Sequence, residues 1–373
     1  MPEHGAFLNA ILERPDDDLP RLVYADYLDE TGFAERAEFI RVQIELARSD
    51  PTDDRFADLT RREAELLREG VGGIVPGVRG KQTFRRGFVE FLHTTADRLI
   101  AAPQSILLLA PIRELRISNA DNAIDELARV PGLDRIETLD LRNNSFGTRD
   151  RLFRFFDAAP LRSLTNLRMR NNQLWSDDVE KLAASRWSAQ LRTLDLSGNA
   201  IADAGASVLA GAENLRGLHS LILRSDELDW RDRIQSAGAT ALGQSRTLNA
   251  LRILDLAGHL IGEVGLPALI LPGRLPCLEC IDVSSNRIRL NYDGDGDSFF
   301  AAAPRLRMRI WDLSISTIGR RTAEQFATWP QLETLEELIL EQCEWEPGAR
   351  ELLSESPWAY KIRLGNPASG ELA

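Results

Sequence analysis

The chain has 373 residues, 43% of them hydrophobic and 27% charged, with a formal net charge of −12. That length accommodates two domains and a sizeable buried core, while no apolar run approaches the ~20 residues of a membrane helix. Residues 1–70 hold 18 acids and 9 bases against 39 and 36 in the remainder, so the N-terminal segment repels nucleic-acid phosphate and acidic membrane surfaces. The opening stretch MPEHGAFLNAILERPDDD lacks a basic region and turns acidic within a few residues. This predicts no secretory signal and a cytoplasmic protein.

Helical periodicity comes first along the chain. Residues 5–15 place Phe7, Leu8, Ile11 and Leu12 on one face. Residues 17–32 open on acids, carry Pro20 in the first turn and stop at Gly32. Residues 33–49 repeat the pattern with Phe39, Ile40, Ile44 and Ala47, and residues 53–70 with Phe56, Leu59, Leu66 and Leu67. The prediction is a small all-α domain over 1–70, then a Gly-rich connector over 71–86. Asp26, Asp29 and Glu30 lie within about a turn of one another, a pattern that serves acid–base chemistry only inside a pocket. The reading preferred here is structural: Asp26 takes bonds from Arg41 or a helix end, and Tyr24 and Leu28 pack inward.

The string FLNAILERPDDDLPRLVYADYLDETG…EFIRVQIELAR resembles the repeat-companion domain of planctomycete bacteria over about the first 48 residues. Leu22, Tyr24, Ala25, Asp26, Leu28, Asp29, Glu38, Phe39, Ile40, Arg41 and Gln43 carry the likeness; Tyr27 stands where that family commonly has Trp. The resemblance implies a domain that precedes leucine-rich repeats. It implies no activity and no catalytic residues.

From residue 87 a template L-x-x-L-x-L-x-x-N recurs. IETLDLRNN (136–144), LTNLRMRNN (164–172), LRTLDLSGN (191–199), LHSLILRSD (218–226), LRILDLAGH (251–259) and LECIDVSSN (278–286) are the clear copies. The second apolar position falls at Val89, Leu115, Leu139, Leu167, Leu194, Leu221, Leu254, Ile281, Trp311, Leu338 and Ile362, at gaps of 24 to 33 residues. Alternate strand residues face opposite sides, so Leu194 and Leu196 point inward and Thr193, Asp195 and Ser197 outward. Asn144, Asn172, Asn199 and Asn286 can turn inward and bond the backbone; Asp226, His259, Ser316 and Cys343 stand in that place elsewhere. Short amphipathic helices fall between, as at 148–160, 177–187 and 202–212, the last with an Asp cap. This resembles leucine-rich repeats of the ribonuclease-inhibitor class. The likeness implies an α/β horseshoe over 87–373, strands inside and helices outside, with terminal caps. Trp358, Tyr360, Ile362 and Leu364 are the expected C-terminal cap.

The outward strand positions are the candidate partner-binding residues. Bases gather at Arg116, Arg142, Arg168, Arg170 and Arg224, and acids at Asp255, Asp282 and Asp312, which predicts an electrostatically split inner face. Nothing in the repeat itself calls for that row of acids, and like charges on neighbouring strands repel. Longer connections at 225–233 and 289–299 are expected on one rim, with Trp230 as an aromatic anchor. Asp293, Asp295 and Asp297 resemble the start of a calcium loop, but Pro304 stands where an EF-hand needs Glu, so a flexible acidic loop is the default. Cys277 and Cys280 lack a second pair, so zinc is not expected, and free thiols are. No phosphate-binding loop, nucleophile elbow or metalloprotease motif occurs. The expectation is a non-enzymatic scaffold without cofactor. It would bind an unidentified protein and neither nucleic acid nor membrane. The rivals are an enzyme regulator, either an inhibitor or a GTPase-activator-like protein, and an enzyme seated in the N-terminal helices around Asp26, Asp29 and Tyr24.

Overall fold

A computed structural model describes residues 2–71, 81–101, 107–108, 110–146, 149–225, 229–270, 275–290 and 308–365. The chain divides into two compact units, Met1–Leu164 and Thr165–Ala373. The fold is α/β, with parallel strands and intervening helices in the pattern of leucine-rich repeats, preceded by helices.

In the first unit, helices α1 (Pro2–Glu13), α2 (Leu19–Glu30), α3 (Ala34–Arg48) and α4 (Asp54–Arg68) precede β1 (Lys81–Arg85) and β2 (Phe88–Thr95). Residues 81–85 belong to the expected connector, yet they form a strand paired antiparallel with β2. The alternation Gln82/Phe84 against exposed Lys81, Thr83 and Arg85 is a strand pattern that the neighbouring glycines obscured. The helices share their core with this hairpin. Ile11, Tyr24, Ala25, Leu28, Ala37, Ile40 and Ile44 enclose Phe88, and Phe39, Val42 and Leu66 receive Phe84. The hairpin turns on Arg86 and Gly87, both at positive φ (50° and 85°), as a two-residue loop matched to strand twist requires. A Cβ on Gly87 would lie 2.7 Å from the Ile40 Cα, so only glycine lets α3 seat on the turn.

Inside that core Arg21 is fully buried. Its Nη2 donates to Glu90 Oε1 at 2.8 Å and to Pro15 O at 2.8 Å, and its Nη1 to the Arg85 and Arg86 carbonyls at 3.2 and 3.1 Å. One guanidinium thus pins the α1–α2 turn to the hairpin. β2 then pairs in parallel with β3 (Glu114–Ser118), and β3 with β4 (Thr138–Asp140). Leu92, Leu115 and Leu139 align as successive rungs, so the first inward position is Leu92 and not the expected Val89. The adjacent apolar pairs Phe88–Val89 and Phe91–Leu92, on either side of Glu90, left the phase of that strand ambiguous.

In the second unit the strands β5 (Asn166–Arg168), β6 (Thr193–Asp195), β7 (Ser220–Ile222), β8 (Ile253–Asp255) and β9 (Cys280–Asp282) run in parallel order. They continue through Ile310–Asp312, Glu337–Ile339 and Ile362–Arg363. Leu167, Leu194, Leu221, Leu254, Ile281, Trp311, Leu338 and Ile362 stand in register, each nearly or fully buried. Helices Ser176–Ala184, Ala202–Gly211, Ser236–Gly243 and Gly262–Ile270 pack side by side behind them. Small residues permit the close fit: a Cβ on Gly243 would sit 1.9 Å from Ala268 O. Asp203 is not the cap of its own helix, whose start has no side-chain cap bond. Its Oδ1 instead accepts from the Gln235 and Gly238 amides at 2.7 and 2.8 Å, capping the next repeat's helix. In the expected C-terminal cap, Ile362 is buried, whereas Tyr360 is 77% exposed and closes nothing.

Where the ninth template residue is Asn, its side chain holds the turn after the strand. Asn199 Nδ2 donates to Met169 O and Leu196 O at 2.8 Å each, and its Oδ1 accepts from Asn172 N and Leu174 N at 2.9 and 3.0 Å. Asn286 repeats this with Leu256 O (2.7 Å), Val283 O (2.9 Å) and Ile261 N (3.2 Å). His259 copies the chemistry with a ring. Its Nε2 faces Leu223 O at 2.7 Å, and Nδ1 accepts from Ile234 N at 3.0 Å.

Candidate functional site

The exposed side of the second unit's strands carries the candidate site, and its acids have a structural duty that sequence reasoning denied them. The amides at the sixth and eighth template positions donate to the following strand, as Leu256 N does to Asp282 O (2.8 Å) and Gly258 N to Ser284 O (2.9 Å). The seventh amide points the other way, toward the preceding strand, whose sixth carbonyl is already bonded by the ninth-position side chain, as Met169 O is by Asn199, Leu223 O by His259 and Leu256 O by Asn286. The fifth-position Asp takes the amide. Asp195, Asp255, Asp282 and Asp312 accept from Ser197, Ala257, Ser284 and Ser314 at 2.8 to 3.0 Å. Asp140 does the same for Arg142 in the first unit, at 3.0 Å. Each is a side-chain-to-backbone turn bond two residues on, so the row of acids is partly the fold's own requirement.

The expected grouping of Arg224 with the bases also gives way. Its Nη2 reaches Asp255 Oδ2 at 3.0 Å and Asp282 Oδ2 at 2.5 Å, so it clamps two neighbouring acids and relieves their repulsion. Asp312, one strand further on, has no ion-pair partner among the described residues. Burial raises the carboxyl pKa of both Asp255 and Asp312, and the neighbouring Asp282 charge adds to it. The acids nonetheless reach the surface; the Asp282 side chain is 23% exposed.

At the second template position, which sequence reasoning did not consider, charges alternate: Arg252–Glu279 (3.5 Å), Glu279–Arg309 (3.8 Å) and a two-pronged Arg309–Glu336 pair (2.7 and 2.9 Å). Between this row and the acids stand Ile253, 44% exposed, then Cys280 and Ile310. The signal for this row was the alternation of Arg and Glu at the same template position.

The remaining candidate residues are placed as follows. In the first unit Arg142 folds back onto Asp140, with Nη2 2.6 Å from Oδ2, and Arg116 is half-buried opposite that acid. Arg168 and Arg170 are half-buried on β5 and just beyond it. Trp230 is 58% exposed, with the Arg231 guanidinium 5.4 Å from its ring centre. Asp293, Asp295 and Asp297 lie outside the described residues, as does Asp226. Cys277 and Cys280 are free thiols, each half-buried.

The N-terminal carboxylates behave as the structural reading expects. Arg41 bridges Asp26 (2.7 Å) and Asp29 (2.6 Å) from α3, while Tyr24 and Leu28 are buried, Tyr24 against Phe7 and Phe88. Two clefts in the first unit, one beside Gln43, Phe56 and Glu63 and one beside Leu12, Pro15 and Pro111, are lined by other residues than Tyr24, Asp26 and Asp29. No helix among them is long and apolar enough to cross a membrane.

A leucine-rich-repeat family profile matches residues 189–210, one unit of the array. No curated protein matches the sequence. Among solved structures, an internalin from Listeria monocytogenes is similar at 18% identity, over 73% of this chain and 70% of that one, with a TM-score of 0.42. A chain of the yeast Rad7 and Elc1 complex is similar at 15% identity over 89% and 81%, with a TM-score of 0.47. A chain of the mouse RP105/MD-1 complex is similar at 16% identity over 69% and 51%, with a TM-score of 0.36.

Proposed function

We propose that this leucine-rich-repeat protein is a non-catalytic, cytoplasmic scaffold whose second-unit strand face binds a basic segment of a protein partner. One observation carries the reading: Arg224 clamps Asp255 and Asp282, and Asp312 beside them has no cation among the described residues. Three acids against one base leave an excess of negative charge on a rigid, half-exposed surface, and such an excess steers and orients a cationic partner. Arg168, Arg170 and Trp230 contribute polar and aromatic contacts on the same unit in this reading. On the first unit Arg116 offers a basic contact beside Arg142, whose charge is held by Asp140. The helices of residues 1–70 act as a repeat-companion domain. No arrangement among the described residues favours the enzyme-regulator reading.

The test is capture of partners from the native host by the wild-type chain and by Asp312→Arg. The scaffold reading expects a partner that elutes with rising salt and is lost in the variant. A partner held equally by both, at every salt concentration, overturns it.

A further inference from the structure

Positive charge without a partner gathers on the exposed face of β1 to β4 in the first unit. Strand register sets Lys81 beside His93, His93 beside Arg116 and Arg116 beside Asp140, with Thr95 beside Ser118 two residues further on. Cross-strand partners share one face of a sheet, so these side chains stand together on it. The acid opposite Arg116 is already spent. Asp140 is 1% exposed and holds Arg142, whose Nε lies 2.9 and 2.8 Å from its two oxygens and whose amide donates to Oδ1 at 3.0 Å. Glu114, two residues before Arg116 on the same strand, makes no ion pair with it, and Arg116 has no ion-pair partner among the described residues. Its Nε is buried and meets no acceptor. Lys81 is exposed and likewise makes no ion pair among the described residues.

Hydroxyl and imidazole donors stand next to these cations. His93 Nε2 and Ser118 Oγ are 2.7 Å apart, and both residues are half-buried, as is Thr95. Burial and the Arg116 charge, with Arg142 and Lys81 behind it, hold the ring pKa below its ordinary 6.5, against the pull of Asp140. While the ring is neutral, either atom can supply the bonding proton. Once the ring is protonated Nε2 must donate, and the Ser118 hydroxyl proton is free to point outward. An anion on this face therefore gains a cation and a donor together. Two cations without carboxylates, and donors spread over three strands about 4.8 Å apart, suit a tetrahedral dianion better than a planar carboxylate. We propose that this part of the first unit's strand face binds a phosphomonoester dianion, with Arg116 and Lys81 supplying the charge and Ser118, Thr95 and His93 the remaining donors. The proposal rests on the first-unit contact assigned to Arg116 and not on the second unit's acids. A free metabolite and a phosphorylated side chain of a partner protein present the same group.

The experiment is calorimetric titration of the full chain with glycerol 3-phosphate, with N-acetyl-O-phosphoserine methylamide, and with N-acetyl-aspartate methylamide as the carboxylate counterpart. Either phosphomonoester should bind while the aspartate derivative does not. Arg116→Met, which keeps a stem and removes the charge, should weaken binding about tenfold, and Ser118→Ala about threefold. Asp312→Arg, on the second unit, should bind as wild type does, so this site and the second-unit reading fail separately. In an NMR titration of the His93 ring, identified by its loss in His93→Gln, saturating ligand should raise the pKa by about one pH unit. Binding of the phosphoserine derivative alone identifies a partner side chain as the source, and binding of glycerol 3-phosphate alone a free metabolite. The site is overturned if neither phosphomonoester binds, if the aspartate derivative binds equally, if Arg116→Met binds like wild type with unchanged circular dichroism, or if bound ligand leaves the His93 titration unmoved.

Discussion

Acidification offers a sharp probe of the repeat turns, because His259 does with a titrating ring what Asn199 and Asn286 do with an amide. Leu223 O can only accept, so Nε2 carries the proton and Nδ1 must stay bare to accept from Ile234 N. A second proton would set N–H against N–H in a site that is 2% exposed. Burial drives the ring pKa down from 6.5 to about 4; Arg233 nearby pushes the same way, against the Leu223 bond and Asp203. The folded pKa is depressed, so the neutral ring's contribution is whole above pH 6.5 and drains away as pH falls towards 4. Linkage between those two values gives a loss of about 2 kcal/mol at pH 5 and about 3 kcal/mol below pH 4. His259→Asn restores the template residue and removes the titration. Urea unfolding at pH 7.5 and pH 5 should therefore show wild type losing about 2 kcal/mol more than the variant, with carboxylate effects common to both cancelling. Equal losses in the two proteins would refute the assignment of His259 as a neutral, doubly bonded turn residue.

Three further outcomes follow from the geometry. Arg21→Met leaves Glu90 buried without its cation and should cost about 3 to 5 kcal/mol in urea unfolding, whereas Arg21→Met with Glu90→Met should recover much of that loss. Cys343 is buried and its thiol is pushed up to about 11, so a thiol reagent at pH 8 should label Cys277 and Cys280 in the folded protein and reach Cys343 only after unfolding. Asp282→Asn keeps an acceptor for the Ser284 amide and should be nearly neutral for stability, while Asp282→Ala should cost about 1 kcal/mol, read as a shift in the denaturation midpoint.

The rungs were legible because a strand buried on one face must alternate, and Leu194 and Leu196 repeat that alternation from unit to unit. Phase failed where apolar residues come in adjacent pairs, at Phe88–Val89 and Phe91–Leu92. The helical core around Tyr24 and Leu28 was legible for the same reason, since its residues recur at helical spacing, and the Arg41 bridge to Asp26 follows from two helices packing side by side. The duty of the acid row was hidden: an Asp that bonds the amide two residues on is needed because the preceding strand's carbonyl is taken by the ninth residue, a contact between repeats that no single template announces. Arg21 and Glu90 lie 69 positions apart, so their pairing depends on a tertiary approach that local pattern does not encode. The Asp203 cap crosses from one repeat to the next and was misread as local for the same reason.

The most direct measurement of the proposed binding role is affinity for a captured partner after Asp282→Asn and Asp312→Asn together. Both substitutions preserve the turn bonds and remove only charge. The account predicts an intact fold, a clear loss of affinity and a shallower dependence on salt; an affinity and salt dependence equal to wild type would contradict it.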